Sequence, residues 1–133
     1  GQEVESDTIS LYRKMNEFEG KTSLAEQQLQ PSIKGSNSSK YLSEDSAKVN
    51  NFNNNGVSND TNQVVLEFKL DKNAYDKLMS DAIDQAGSKG IDAIKINKEG
   101  ITDPNLKNIG VPPSKLEEFN KAIKDVIQVP KND

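Results

Sequence analysis

The chain has 133 residues, a formal net charge of −4, 32% hydrophobic, 29% charged and 5% aromatic residues, and neither histidine nor cysteine. This composition fits one modest core and excludes a disulfide framework, thiolate or imidazole metal ligands, cysteine nucleophiles and Ser-His-Asp triads. Chemistry falls to carboxylates, hydroxyls, lysines, amides and one arginine, and the acidic balance disfavours a polyanionic partner held by charge alone.

In chain order, Ile9, Leu11 and Arg13 share one face of a strand predicted over Thr8–Lys14. Ser23 with Glu26 resembles a capping box before a short helix through Leu24 and Leu29. Residues 31–40 read as a Ser/Gly/Asn-rich loop. Ser43, followed by Glu44 and Asp45, suits a helix start, with the helix running to Phe52. An asparagine-rich connection covers residues 50–62, and 53–62 is expected to be flexible.

The clearest strand follows. Val64, Leu66, Phe68 and Leu70 alternate with Val65, Glu67 and Lys69. Asp71 or Asn73 then caps a helix with Tyr75, Leu78, Met79, Ala82, Ile83 and Ala86 on its apolar face, ended by Gly87. A short strand is expected from Ile91 to about Glu99, and 100–113 reads as loop. Ser114 with Glu117 marks a last helix, whose stripe of Leu116, Phe119, Ile123, Val126 and Ile127 ends at Pro130. The order predicts an α+β fold: one domain over 1–133, with a short mixed or antiparallel sheet packed by about four helices.

Two motifs are set aside. Asn59-Asp60-Thr61-Asn62 lacks the spaced ligands, turn glycine and closing glutamate of an EF-hand, so no metal is expected. Gly87-Ser88-Lys89-Gly90 follows a helix instead of linking a strand to one, and reads as a turn, not a phosphate loop. No apolar stretch reaches the length of a membrane span, and no signal-peptide core is apparent. The start at Gly1-Gln2-Glu3 reads as a domain cut from something longer.

Arg13 is the only arginine among many lysines. A guanidinium grips phosphate or carboxylate with a planar fork that lysine cannot copy, and on an apolar strand face its charge needs a partner or a cleft. Glu99 closes the later strand on the side shared with Asn97, opposite Ile94 and Ile96, where a carboxylate can enter a pocket.

Leu11-Tyr12-Arg13, then Lys40-Tyr41-Leu42-Ser43, then Val64-Val65-Leu66-Glu67-Phe68 and an acidic strand end together resemble the arginine–serine–glutamate layout of mono-ADP-ribosyltransferase toxins. Asn108-Ile109-Gly110-Val111 with Glu118-Phe119-Asn120 is similar to the tails of polymorphic toxin domains, of the contact-dependent or Rhs type, delivered by bacteria into competitors. The resemblance implies that NAD is a substrate and that no metal is used. It implies that Arg13 grips the NAD diphosphate, Ser43 braces the nicotinamide ribose, and Glu99 stabilises the oxocarbenium-like transition state as nicotinamide leaves. It adds Tyr12, Tyr41 and Asn97 as NAD contacts.

Two departures from the family pattern stand out. Its Ser-Thr-Ser run is here Leu42-Ser43-Glu44, and Asn97 stands where arginine-modifying members carry a second carboxylate, which leaves the acceptor open. The resemblance further implies secretion or cell-surface delivery, action in the target-cell cytoplasm, and a cognate immunity protein as partner. Two other classes stay open: a histidine-independent RNase toxin of barnase-, EndoU- or colicin-like fold, and a non-catalytic binding module in which Arg13 and Glu99 form an ordinary ion pair.

Overall fold

A computed structural model describes residues 7–31, 39–46, 49, 63–86, 91–98 and 101–130. Along the chain run β1 (Thr8–Asn16), α1 (Glu17–Glu26), β2 (Lys40–Ser43), β3 (Gln63–Asp71), α2 (Lys72–Met79), β4 (Ile83–Asp84), β5 (Lys95–Asn97), β6 (Asn108–Val111), a 3-10 turn (Pro113–Lys115), α3 (Leu116–Ala122) and β7 (Ile123–Val129). The strands form one sheet in the order β4-β5-β6-β2-β1-β3-β7. Every neighbouring pair is antiparallel except β4 with β5.

This corrects the expected sheet packed by about four helices: among the described residues the sheet has seven strands and the helices number three. The last expected helix stops at Ala122, and its remaining stripe becomes β7. Ile123-Lys-Asp-Val-Ile-Gln-Val is rich in β-branched residues, which favour a pleated surface. Pairing Val126 with Phe68, and Ile123 with Leu70, carries these side chains into the core as strand residues. The preceding helix likewise ends at Met79, and Ile83 pairs with Lys95 instead of extending it. Within the expected 100–113 loop, Asn108–Val111 is a fully buried strand between β5 and β2.

The long strands follow their alternation. In β3 every second residue is buried, placing Val64, Leu66, Phe68 and Leu70 opposite Met15, Arg13, Leu11 and Ile9 of β1. Phe68, Leu66, Leu11 and Leu70 join Phe119, Ala122, Tyr75, Leu78, Ile109 and Val111 in one core cluster. The three helices therefore lie over this apolar face.

Helix α1 has no apolar stripe and docks by close approach. A Cβ on Gly20 would sit 2.5 Å from Val64 Cγ2, so only glycine fits there. Asn16 caps this helix by accepting the Glu19 N–H at 2.7 Å, so the expected start at Ser23 is wrong: Ser23 is a fully buried mid-helix residue. Asp71 caps α2 as expected, accepting the Ala74 N–H at 2.9 Å. Ser114 is not a cap; its hydroxyl donates to Asp92 Oδ1 at 2.6 Å.

Past α1 the chain turns at Gln27, in the left-handed region with φ 55. The Gln27 amide donates to the Val126 carbonyl at 2.9 Å and accepts the Val126 N–H at 2.8 Å. The Asn120 amide does the same to Leu29, accepting its N–H at 2.8 Å and donating to its carbonyl at 3.2 Å. These two reciprocal pairs fix the segment after α1 to β7 and α3.

Candidate functional site

Arg13, Ser43, Glu99, Tyr12, Tyr41 and Asn97 are the site residues expected from the sequence. Glu99, together with residues 53–62, most of the 31–40 loop and most of the helix expected after Ser43, lies outside the described residues. Of the other five, Tyr12 and Arg13 lie on β1 and Tyr41 and Ser43 on β2, at the seam where these strands meet, while Asn97 lies two strands further across the sheet on β5. Among the described residues β1 and β2 pair at one position, Tyr12 with Ser43.

Directly paired residues share a face, so Tyr12, Ser43, Asn108 and Asn97 form one row running across β1, β2, β6 and β5, on the side away from the helices. Asn108 Nδ2 donates to Asn97 Oδ1 at 2.8 Å, and Asn97 Nδ2 donates to Gln85 Oε1 at 2.7 Å. Ser43 ends β2 instead of starting a helix directly. Its buried hydroxyl accepts the Asp45 N–H at 3.0 Å, a local turn that ends the strand. Tyr12 lies beside Glu67, which also accepts from the Ser10 hydroxyl. Burial first, and then the Glu67 carboxylate, push the Tyr12 phenol above its ordinary range. Tyr41, partly exposed, covers Gly110. A Cβ there would lie 2.6 Å from Tyr41 Cε1, so the ring holds this position only over a glycine.

Arg13 projects from the other face, where α1 packs. Its Nε donates to Glu19 Oε2 at 3.0 Å, Nη2 to Glu19 Oε1 at 3.5 Å, and Nη1 to the Tyr41 carbonyl at 3.1 Å. Lys40 Nζ meets the same Glu19 carboxylate at 3.2 Å. The three side chains are 13–20% exposed. Two cations from two strands therefore share one carboxylate from α1, across the gap where β1 and β2 stop pairing.

The shared carboxylate is divided unequally. Burial alone would raise Glu19, but hydrogen bonding and charge from Arg13, with Lys40 adding to them, hold it below the usual carboxylate range. Lys40 is pushed down by burial and then by the Arg13 charge, with Glu19 only partly opposing. Both values move down: Arg13 takes the closer share of the anion and favours charged Glu19, while burial and the same Arg13 charge disfavour charged Lys40.

Sequence reasoning missed Glu19 and left Lys40 without a role. The signal was present, since Asn16 followed three residues later by Glu19 is a helix-start pattern that puts a carboxylate beside the end of β1. Also missed was Glu44, whose nearly buried carboxylate accepts from the Tyr75 hydroxyl at 2.8 Å and the Lys107 N–H at 3.2 Å, and pairs with Lys107 Nζ. It ties the end of β2 to α2 and to the segment before β6.

A guanidinium has five N–H donors. Three are used on Glu19 and Tyr41, and one on each terminal nitrogen has no partner among the described residues. On the helix face the seam thus offers a fixed arginine with donors left over and a second cation, a pair suited to a phosphorylated ligand, while the two tyrosines stand on the opposite face. Among the described residues no group of acidic side chains gathers to hold a metal ion, and no helix is long and apolar enough to cross a membrane.

The sequence matches no protein-family model, and no curated protein is significantly similar to it.

Proposed function

We propose that the chain is a toxin effector domain that takes NAD at the β1–β2 seam, for ADP-ribosyl transfer or NAD glycohydrolysis. The supporting observation is the pairing of the single arginine with Lys40 where β1 and β2 part, with Tyr12, Tyr41 and Ser43 on the opposite face of the same two strands. Arg13 and Lys40 would receive the diphosphate. The bond from the ribose C1′ to nicotinamide would break with its electron pair leaving on nicotinamide, and water or an acceptor would add at C1′ and lose a proton. In this reading Glu99 supplies the anion opposite the developing cation. As a toxin the domain would be delivered to the cytoplasm of a target cell and held in check by an immunity protein that covers the seam.

The test is incubation of the purified domain with NAD labelled in the nicotinamide ring, beside a separate incubation with total tRNA. Nicotinamide release is expected, falling on the order of 10²–10³-fold in Glu99→Gln with NAD affinity little changed, by analogy with a lost transition-state contact. Wild-type turnover in that variant removes the role of Glu99. RNA cleavage without NAD consumption replaces the transferase reading with the nuclease one.

One observation favours a second reading, a non-catalytic binding module. Glu19 already engages Arg13 along one edge of its fork, as an ordinary structural ion pair would. Absence of both activities, together with tight binding of another macromolecule, decides for it.

A further inference from the structure

The long ladder with β3 fixes the backbone at Arg13, but the end of its side chain reaches past that ladder toward β2, with which β1 pairs at a single position. What aims this end is Glu19. The carboxylate takes Nε and Nη2 along one edge of the guanidinium, and the Tyr41 carbonyl takes Nη1. The same carboxylate draws in Lys40 from the opposite strand. Glu19 is itself fixed, since its backbone N–H is the one capped by Asn16 and its helix is seated on the sheet through Gly20.

We propose that Glu19 is the positioning residue of an anion-binding seam: it holds Arg13 edge-on and Lys40 beside it, so that their remaining N–H donors meet a diphosphate group together. The inference rests on the NAD reading and names the residue that makes its diphosphate site work. A point charge and a positioning group make opposite demands here. As a charge alone, Glu19 repels an anionic ligand, and neutralising it tightens binding. As a positioning group it lowers the freedom of two long side chains, and neutralising it weakens binding although the site becomes more positive.

The experiment measures the affinity of the folded, intact chain for sodium pyrophosphate and for NAD, at low salt and well below the melting temperature. It uses the wild type, Glu19→Gln, Arg13→Lys and the double variant. The expected result is at least a tenfold loss for both probes in Glu19→Gln, a comparable loss in Arg13→Lys, and no further loss in the double variant, because Glu19 acts through Arg13. A purely structural Glu19 lowers the melting temperature without moving the affinity of the folded protein.

Equal or tighter binding by Glu19→Gln overturns the positioning role while the NAD reading stands. Losses that multiply in the double variant overturn it as well. Where Glu19→Gln does not fold, Glu19→Asp keeps the charge but draws it back by one methylene. A weakened pyrophosphate affinity is again expected, and an affinity equal to wild type overturns the proposal. A wild type that takes up neither probe removes the NAD reading and the positioning role with it.

Discussion

β1, β3 and β7 lie in ladders of nine and six paired positions, whereas β2, β6, β5 and β4 are strands of four residues or fewer. In the first group continuous backbone pairing and a run of buried Leu11, Leu66, Phe68 and Leu70 hold the strands together. In the second, side chains at the margins carry much of the cohesion: Glu44 to Tyr75 and Lys107, Arg13 to the Tyr41 carbonyl, and Lys40 to Glu19. Backbone ladders resist separation along their whole length. A boundary joined at one paired position and by a few side chains parts at lower cost, and such boundaries are where ligands can enter.

The comparison is broken most severely from the long-strand side. Phe68 is fully buried at the centre of the sheet, so Phe68→Ala should cost about 3–5 kcal/mol. Phe119→Ala, on α3 over the same core, belongs in that range too. Chemical denaturation reads both, and an unchanged midpoint for either places that side chain outside the core.

On the short-strand side the expected effect is smaller and more local. Glu44→Ala leaves the Tyr75 hydroxyl and the Lys107 N–H without their acceptor, at about 1–3 kcal/mol for each buried group left unsatisfied. Hydrogen exchange should then rise in β6 and β5 before β1 and β3. Uniform acceleration across all strands would show that the two halves open as one.

Smaller again are the pH effects, which have opposite signs at the two side-chain ties of the short-strand half, Glu19 and Tyr75. Glu19 is held below its ordinary value, so its contribution is present in full above about pH 5 and fades as the pH falls through the depressed range. The stability difference between wild type and Glu19→Gln should therefore shrink in acid. Tyr75 is raised by burial first and then by the Glu44 charge, so its contribution is complete below about pH 10 and lost above it. Tyr75→Phe should flatten that alkaline decline. Thermal melts across both ranges check the signs.

The smallest effect concerns Ser23, whose buried hydroxyl has no partner among the described residues. Ser23→Ala removes an unsatisfied polar atom and improves helix propensity, so a neutral to slightly stabilising change is expected, up to about 1 kcal/mol. A destabilised variant would mean that the hydroxyl is satisfied.

Much of the long-strand half was legible in the sequence, because strict alternation in Val64–Leu70 and the Asp71 cap are local signals that the tertiary structure does not override. The short-strand half was not. Asn108–Val111 has too few residues to show a period, and it includes a glycine whose place depends on a tyrosine in another strand. The stripe from Leu116 to Ile127 fits helical spacing throughout, yet its second part pairs with β3, a choice made by contacts far away in the chain. For the site, Arg13 stood out by being the only one of its kind. Its partner Glu19 stood among many acidic residues, and only the turn from β1 into α1 singles it out.

The two reciprocal amide pairs bear on how the molecule meets copies of itself. Among the described strands β7 is an outer strand, and an outer strand normally presents unpaired backbone groups on which another chain can add a strand. At Val126 both groups are already taken by the Gln27 side chain, which stands in for one residue of a neighbouring strand. The left-handed backbone at Gln27 costs on the order of 1 kcal/mol for a residue with a Cβ, and it delivers the amide to this point. Glycine would adopt the turn more easily but would leave Val126 open, so the strained glutamine guards against intermolecular strand addition in the middle of the edge.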